Sequence, residues 1–189
     1  MDLKMVKQMI RKHLTNERYE HSLRVAEVAK QLAKIHQVNE RDVELAALFH
    51  DIAKDQTTAE LTENIKKYRL PKELLSEHKE LWHGPVGAKI VQQIYQVQSE
   101  AIYQAIYYHT TGRAGMGDLE LIIYIADYIE PERQIPGVAD VRKLAQNNLI
   151  EAALLIASRT IKYLLDKRVT IHINTFLAYN DLLKRLTNH

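Results

Sequence analysis

Residues 40–54 read ERDVELAALFHDIAK, an apolar run at helical spacing that ends on a histidine and an aspartate side by side. Val43, Ala46 and Ala47 lie on one stripe, and His50 extends it by a further turn. Asn39, just ahead, is a residue type that caps helix N-termini. An unpaired charge in a core is costly, so His50 and Asp51 require a hydrogen-bond partner, an ion pair or a metal. Adjacent residues on a helix project about 100° apart, so both can serve one ion only near a helix end or from different sides of it.

Working outward, the same 3.6-residue period recurs along nearly the whole chain, alternating strand-like runs are rare, and there are only 6 Gly and 4 Pro in 189 residues. The reading is all-α, with one domain spanning residues 1–189. Helices are expected after Thr15, after Asn39 as far as Lys54, after Thr57 with Glu60 completing a capping box, at Pro71, and near His83. Others follow Ser99 and Asp118 (LELIIYIADYIE, closed by Pro131), run from Val138 to Gln146, and start after Asn148, with Glu151 in the capping-box position, and after Asn174. Two stretches break the pattern. TGRAGMGD (111–118) holds three of the six glycines and PERQIPG (131–137) two of the four prolines, and loops on a rigid scaffold often hold ligands.

Composition narrows the function classes. The 26 basic and 24 acidic residues give a formal charge of +2, which demands neither nucleic acid nor an anionic membrane. With no cysteine there is no disulfide framework and no thiolate metal site, leaving His, Asp and Glu as metal ligands. MDLKMVKQMIRKHL has no signal-peptide core, and no apolar run reaches membrane-spanning length. A soluble cytoplasmic protein is expected.

Four predicted helices end an apolar stripe on an ionisable group. His21 continues the row Val25, Val28, Leu32; His50 extends Val43, Ala46, Ala47; His109 extends Ile102, Ala105, Ile106; Asp127 follows Ile123 at i+4. His83, behind Trp82 at a helix start, is a fifth. One histidine on an apolar stripe is usually a core residue bonded to a carbonyl. With nine His and nine Asp in the chain, about 0.4 His-Asp dipeptides arise by chance, so the pair alone says little. Asp127 weighs more, because aspartate is a poor helix-interior residue and is rarely buried without a partner. Taken together the ordinary explanations multiply, and one shared ion explains them better. Imidazole and carboxylate ligands without thiolate suit iron, manganese, zinc or a related divalent ion.

In chain order, His21, then His50-Asp51, then Asp127 resembles the HD-domain metal-dependent phosphohydrolase superfamily. His83 in WHGPVGAKIV, His109 in IYYHTTGRAGM, and the segments HSLRVAEVA, AALFHDIAK, ADYIEPER and TIHINTFLAYN resemble its YqeK branch, the symmetrical diadenosine-tetraphosphate hydrolases, over about residues 10–185. After the histidine of the last segment this chain carries Ile173 where the branch usually has a non-aromatic polar residue or a proline.

The resemblance implies an all-helical fold, a divalent ion, most of all iron, held by His21, His50, Asp51 and Asp127, and cleavage of diadenosine tetraphosphate to two ADP. Catalysis would involve His50, Asp51, Lys54, His83 and His109. Substrate would meet His21, Lys54, His83, His109, Thr110, Asp127, Arg133 and the run Thr170, Ile171, His172, Ile173, Asn174, Thr175. Lys54, one turn after His50, would face an incoming phosphate; as an alternative it is a helix C-terminal lysine complementing the dipole. Arg133 offers a planar fork for phosphate oxygens, or is an ordinary solvated arginine. The 170–175 run offers backbone amides and hydroxyls ahead of a helix, or simply caps it. His83 and His109 are ligands of a second ion or phosphate contacts. A homodimer is compatible with this reading. Its rivals are another superfamily nucleotidase, a cyclic-dinucleotide phosphodiesterase, a non-catalytic nucleotide sensor, and a helical interaction module with core histidines.

Overall fold

The computed structural model describes residues 2–187; residue 1 and residues 188–189 of the expected domain lie outside the described residues. Among those described, every regular element is helical. The order is α1 (Leu3–Arg11), α2 (Asn16–Ile35), α3 (Glu40–Phe49), α4 (Thr58–Lys67), α5 (His83–Gln93), α6 (Glu100–Tyr108), α7 (Asp118–Ile129), α8 (Val138–Ala145), α9 (Leu149–Lys167) and α10 (Ile173–Thr187). Two 3₁₀ turns, Lys72–Ser76 and Lys79–Leu81, lie between α4 and α5.

Five of the caps expected from sequence form, though Glu151 does not complete a capping box with Asn148. Thr15, Asn39, Thr57, Ser99 and Asn148 each accept from a backbone N–H of the helix they start, and Thr57 and Glu60 make both halves of a capping box. At α7 the arrangement differs: Glu120 Oε1 accepts from Gly117 N at 3.1 Å, so Asp118 is the first residue of the helix rather than its cap. Sequence reading assigns no element to residues 3–11, where α1 forms with Val6 and Ile10 buried one turn apart. The helix expected at Pro71 is only a 3₁₀ turn.

The helix predicted to run to Lys54 stops at Phe49. His50 Nδ1 donates to Ala47 O at 2.6 Å and so takes up the carbonyl that the next helical N–H would use. A chain of tight turns follows, with Ile52 N to Phe49 O at 3.1 Å and Lys54 N to Asp51 O at 2.8 Å. The same device ends α6, where His109 Nδ1 donates to Ile106 O at 2.8 Å. Both histidines therefore cap helix C-termini, and their remaining ring nitrogens face away from the helices they close.

Helix α7 is the centre of the fold, packed by α2, α3, α6, α8 and α9. It is apolar nearly all round, and Leu121, Ile122, Ile123 and Ile125 are fully buried. Each such side chain contributes about 1.5–3 kcal/mol relative to remaining exposed. A satellite core under α4 and α5 gathers Ala53, Leu61, Ile65, Trp82, Val86 and Ile90. Helix α5 approaches α6 closely through Gly84, where an added Cβ would stand 2.8 Å from Tyr107 O. That approach sets the distance between His83 and His109.

Candidate metal centre and its cleft

The residues singled out in the sequence converge. His21 comes from α2, His50 and Asp51 from the end of α3, His83 from the first residue of α5, His109 from the cap of α6, and Asp127 from the last turns of α7. His21, His50, Asp51, His83 and His109 are buried. Asp127, expected in the core, stands instead at the wall of a cleft with its side chain 23% exposed, because the α7 face that carries it turns toward the loop containing Arg133.

Asp51 divides the cluster. Its Oδ2 lies 3.4 Å from His50 Nε2 and 3.8 Å from His21 Nε2, while its Oδ1 lies 3.1 Å from His83 Nε2 and 3.6 Å from His109 Nε2. Asp127 Oδ1 sits 3.1 Å from His21 Nε2 and 4.0 Å from His50 Nε2. The ligand atoms of His21, His50 and Asp51 lie within 4.8 Å of one another, and so do those of Asp51, His83 and His109.

The tautomers follow from the caps. A carbonyl can only accept, so His50 and His109 carry their proton on Nδ1 and, when neutral, present a lone pair at Nε2. Among the described residues, His21 Nε2 and His50 Nε2 are buried polar atoms with no hydrogen-bond partner. Two orphaned imidazole nitrogens between two carboxylates fit a divalent cation, which would satisfy both and offset the buried negative charge. His83 Nε2 lies 2.9 Å from His109 Nε2, so with His109 accepting, His83 donates.

Charges in the cluster support one another. Burial pushes His50 down, but the neighbouring Asp51 carboxylate, joined by Asp127, raises it overall. Burial likewise opposes ionisation of Asp51, yet the neighbouring His50 ring, with the His109 and His83 rings beside it, holds it well below the usual carboxylate range. Asp127 is lowered in the same way against its burial, first by the His21 ring. His83 is pushed down to about 4 by burial, against the opposing pull of Asp51, and stays neutral at pH 7.

Several residues that support the cluster were not singled out in the sequence. Arg18, three residues before His21 on α2, donates to Asp51 Oδ2 at 2.8 Å. Glu130 is buried with Oε1 3.5 Å from His21 Nδ1, and its Oε2 accepts from Arg24 Nε at 2.8 Å. Arg142 donates to the carbonyls of Ile129, Glu130 and Arg133, holding the PERQIPG loop. The signal for Glu130 was present, since it lies one turn past Asp127 in an otherwise apolar helix.

The expected phosphate contacts fare unevenly. Arg133 Nη2 donates to Asp127 Oδ1 at 3.1 Å, beside the cluster. Lys54 is engaged with Glu80 at 2.8 Å, next to His83, and is not on a helical face. Thr110 Oγ1 lies 3.2 Å from His109 Nε2 and lines the cleft that opens from the cluster past Arg133. Within 170–175, Thr170, His172 and Thr175 line a cavity of about 630 Å³, whereas His172, Ile173 and Asn174 line one of about 270 Å³, and Ile171 lines neither. Two of the amides expected to receive anions there are already used: His172 Nδ1 accepts from Asn174 N at 3.1 Å and His172 O from Thr175 N at 3.0 Å. These bonds also start α10 at Ile173 instead of after Asn174. In TGRAGMGD, Gly112 packs against Ala178, and Gly115 N donates to Asp181 at 2.9 Å, tying the loop to α10.

Comparison with known proteins agrees with this arrangement. The family model described as the HD domain matches residues 18–132, which spans His21 through Asp127. The chain belongs to the HD-domain family. Among curated HD-domain relatives, "Bis(5'-nucleosyl)-tetraphosphatase, symmetrical" of Bacillus subtilis (strain 168) is 43% identical over 92% of this chain and 94% of its own length. The protein of the same name from Staphylococcus aureus (strain NCTC 8325 / PS 47) is 40% identical over 95% of this chain and 94% of its own. A crystal structure of a predicted HD superfamily hydrolase involved in NAD metabolism, from Clostridium acetobutylicum, superposes with a TM-score of 0.92 at 36% identity, covering 98% of both chains. No described helix of this HD-domain protein is long and apolar enough to cross a membrane.

Proposed function

We propose that this protein hydrolyses diadenosine tetraphosphate at its central anhydride, releasing two ADP, with a divalent ion held by His21, His50, Asp51 and Asp127. The observation that carries the reading is the pair of orphaned nitrogens, His21 Nε2 and His50 Nε2, facing Asp51 and Asp127 at the base of an open cleft. The relatives named above as symmetrical tetraphosphatases supply the substrate.

When bound, the ion supplies a water of lowered pKa and a Lewis acid for the attacked phosphoryl oxygen. The chain's own groups do the rest. Arg133, at the edge of the cluster, offers its remaining donors to phosphate oxygens. Lys54 exchanges Glu80 for phosphate as the chain of phosphates enters. His83, neutral at pH 7 and donating through Nε2, exchanges His109 for a substrate oxygen on the far side of Asp51. Neutralising charge in this way is most of what phosphoryl transfer asks of a protein.

Metal-loaded protein given diadenosine tetraphosphate releases ADP as its only nucleotide; ATP together with AMP would overturn the symmetrical cut. Full activity after Asp51→Ala would overturn the metal role. Iron as the native ion, a homodimer and residence in the cytoplasm belong to the same proposal, checked by metal analysis, sedimentation and cell fractionation.

A further inference from the structure

Two cavities meet at one strip of residues beside the cluster. The larger, about 630 Å³, and the smaller, about 270 Å³, share Leu81, Thr110, Thr111 and His172. Thr110 also touches the cluster, its Oγ1 3.2 Å from His109 Nε2. A group lying across the shared strip therefore sits next to His109 of the cluster, with one cavity on each side.

The cavity walls differ from the strip in chemistry. The larger is walled by Tyr163, Leu164 and Val169, and Lys167 stands over the Tyr163 ring at 5.8 Å. The smaller is walled by Leu74, Pro85, Tyr108 and Ile173, with Glu73, Glu77 and Asn174 as polar groups. Two carboxylates there repel phosphate but accept from ribose hydroxyls and an exocyclic amine, so an uncharged nucleoside is the part of a nucleotide that suits this space. Tyr163 and Val169 on the larger cavity and Ile173 on the smaller are 59%, 48% and 62% exposed, so each cavity offers accessible apolar surface to a base.

We infer that the two cavities are separate nucleoside subsites, the larger taking one end of the dinucleoside polyphosphate and the smaller the other, so that the central phosphates cross the Thr110–Thr111 strip. This rests on the reading of the cleft as a dinucleoside-polyphosphate site and adds to it a cause of symmetrical cleavage. A substrate gripped at both ends is centred on the metal ligands, whereas one gripped at a single end is not.

The test compares diadenosine tetraphosphate with adenosine 5'-tetraphosphate, which has one nucleoside, on the metal-loaded full-length protein. The variants are Tyr163→Ser in the larger cavity, Ile173→Ser in the smaller, and both together; each side chain is exposed, so the fold is spared. For the dinucleotide, each single variant raises KM about 5–10-fold with kcat within twofold. The mononucleotide can seat its nucleoside in whichever cavity is intact, so either single variant changes its KM less than twofold and the double variant raises it about 5-fold or more. Equal effects of a single variant on both substrates, or none on the dinucleotide, overturn the inference. If the wild type releases no ADP, the parent reading has failed. The same variants are then read by calorimetric binding of an analogue with a methylene at the central bridge: weaker binding in each variant upholds the two subsites, and unchanged binding overturns them.

Discussion

Arg18 Nη1 donates to Asp51 Oδ2 at 2.8 Å across 33 residues of sequence, joining the first turn of α2 to the end of α3. This bond occupies one side of the oxygen that also faces His21 and His50, while Oδ1 is left to His83 and His109. Arg18 thus fixes the rotation of a carboxylate shared by two groups of histidines. Arg18→Met removes a charge-assisted bond to a buried acid and costs the metal-free protein about 1–3 kcal/mol. In the metal-loaded protein the loss is smaller, because the ion offsets the same charge. Urea unfolding with and without metal checks this; an equal loss in both states would refute it.

Gly84 governs the approach of α5 to α6. A Cβ there would meet Tyr107 O at 2.8 Å and Ile106 O at 3.2 Å, and backbone atoms cannot turn aside. Gly84→Ala therefore drives the start of α5 away from α6, lengthens the 2.9 Å contact between His83 and His109, and destabilises by about 1–3 kcal/mol. Gly87→Ala meets Ile52 Cγ2 at 3.3 Å, a side-chain methyl that can give, and is the milder change. Thermal melts of the two variants side by side should rank them in that order.

How much of this was legible in sequence depends on the range of the interaction. Thr15, Asn39, Thr57, Ser99 and Asn148 were readable as helix starts because a cap bonds to its own next turn. His21, His50, His109 and Asp127 were readable because each breaks an apolar stripe. The ends of α7 before Pro131 and of α8 near Gln146 were readable too, but the end of α3 was not. The halt at Phe49 comes from a side chain competing for Ala47 O, which periodicity does not record. Arg18 and Arg24 were missed because exposed arginines on a helix are common and their partners, Asp51 and Glu130, are 33 and 106 residues away. The 170–175 amides looked free for an anion, but Asn174 N bonds to the His172 ring, a local bond that many residue types could not make, and Thr175 N bonds to His172 O.

Glu130 acts on the cluster through His21. Its Oε1 faces His21 Nδ1 at 3.5 Å, which orients the ring so that Nε2 points among the other ligands. Glu130→Gln keeps the shape but weakens the pull on Nδ1–H, and metal affinity falls about 10–100-fold. The carboxylate also leaves a pH signature. Burial opposes its charge, but Arg24 and the Glu132 amide lower it below its ordinary value of 4.5. Its contribution to stability is therefore complete above about pH 4.5 and is lost as pH falls through the lower folded-state value. In Glu130→Gln the acid side of the stability profile of the metal-free protein flattens; an unchanged acid limb would argue that Glu130 carries no charge-dependent role.

Glu80 competes with substrate for Lys54. Its Oε2 accepts from Lys54 Nζ at 2.8 Å, and that bond, with the lysine's charge, lowers the Glu80 carboxyl below its ordinary value. Glu80 and Lys54 line one small cavity together with His83, so a phosphate that reaches the lysine there also meets the carboxylate. Both side chains are partly exposed, so the pair itself adds little to stability and Glu80→Gln should melt within a degree or two of the parent. The same change frees Lys54 and removes a charge that repels phosphate, lowering KM for a dinucleoside polyphosphate about 2–5-fold at low salt and less as salt screens the difference. Lys54→Met raises KM instead, and once the lysine is gone, Glu80→Gln gives a smaller gain. Steady-state kinetics of the two single variants and the double variant at two ionic strengths separate competition at Lys54 from simple repulsion by Glu80: if Glu80→Gln helps equally with and without the lysine, the ion pair holds nothing back.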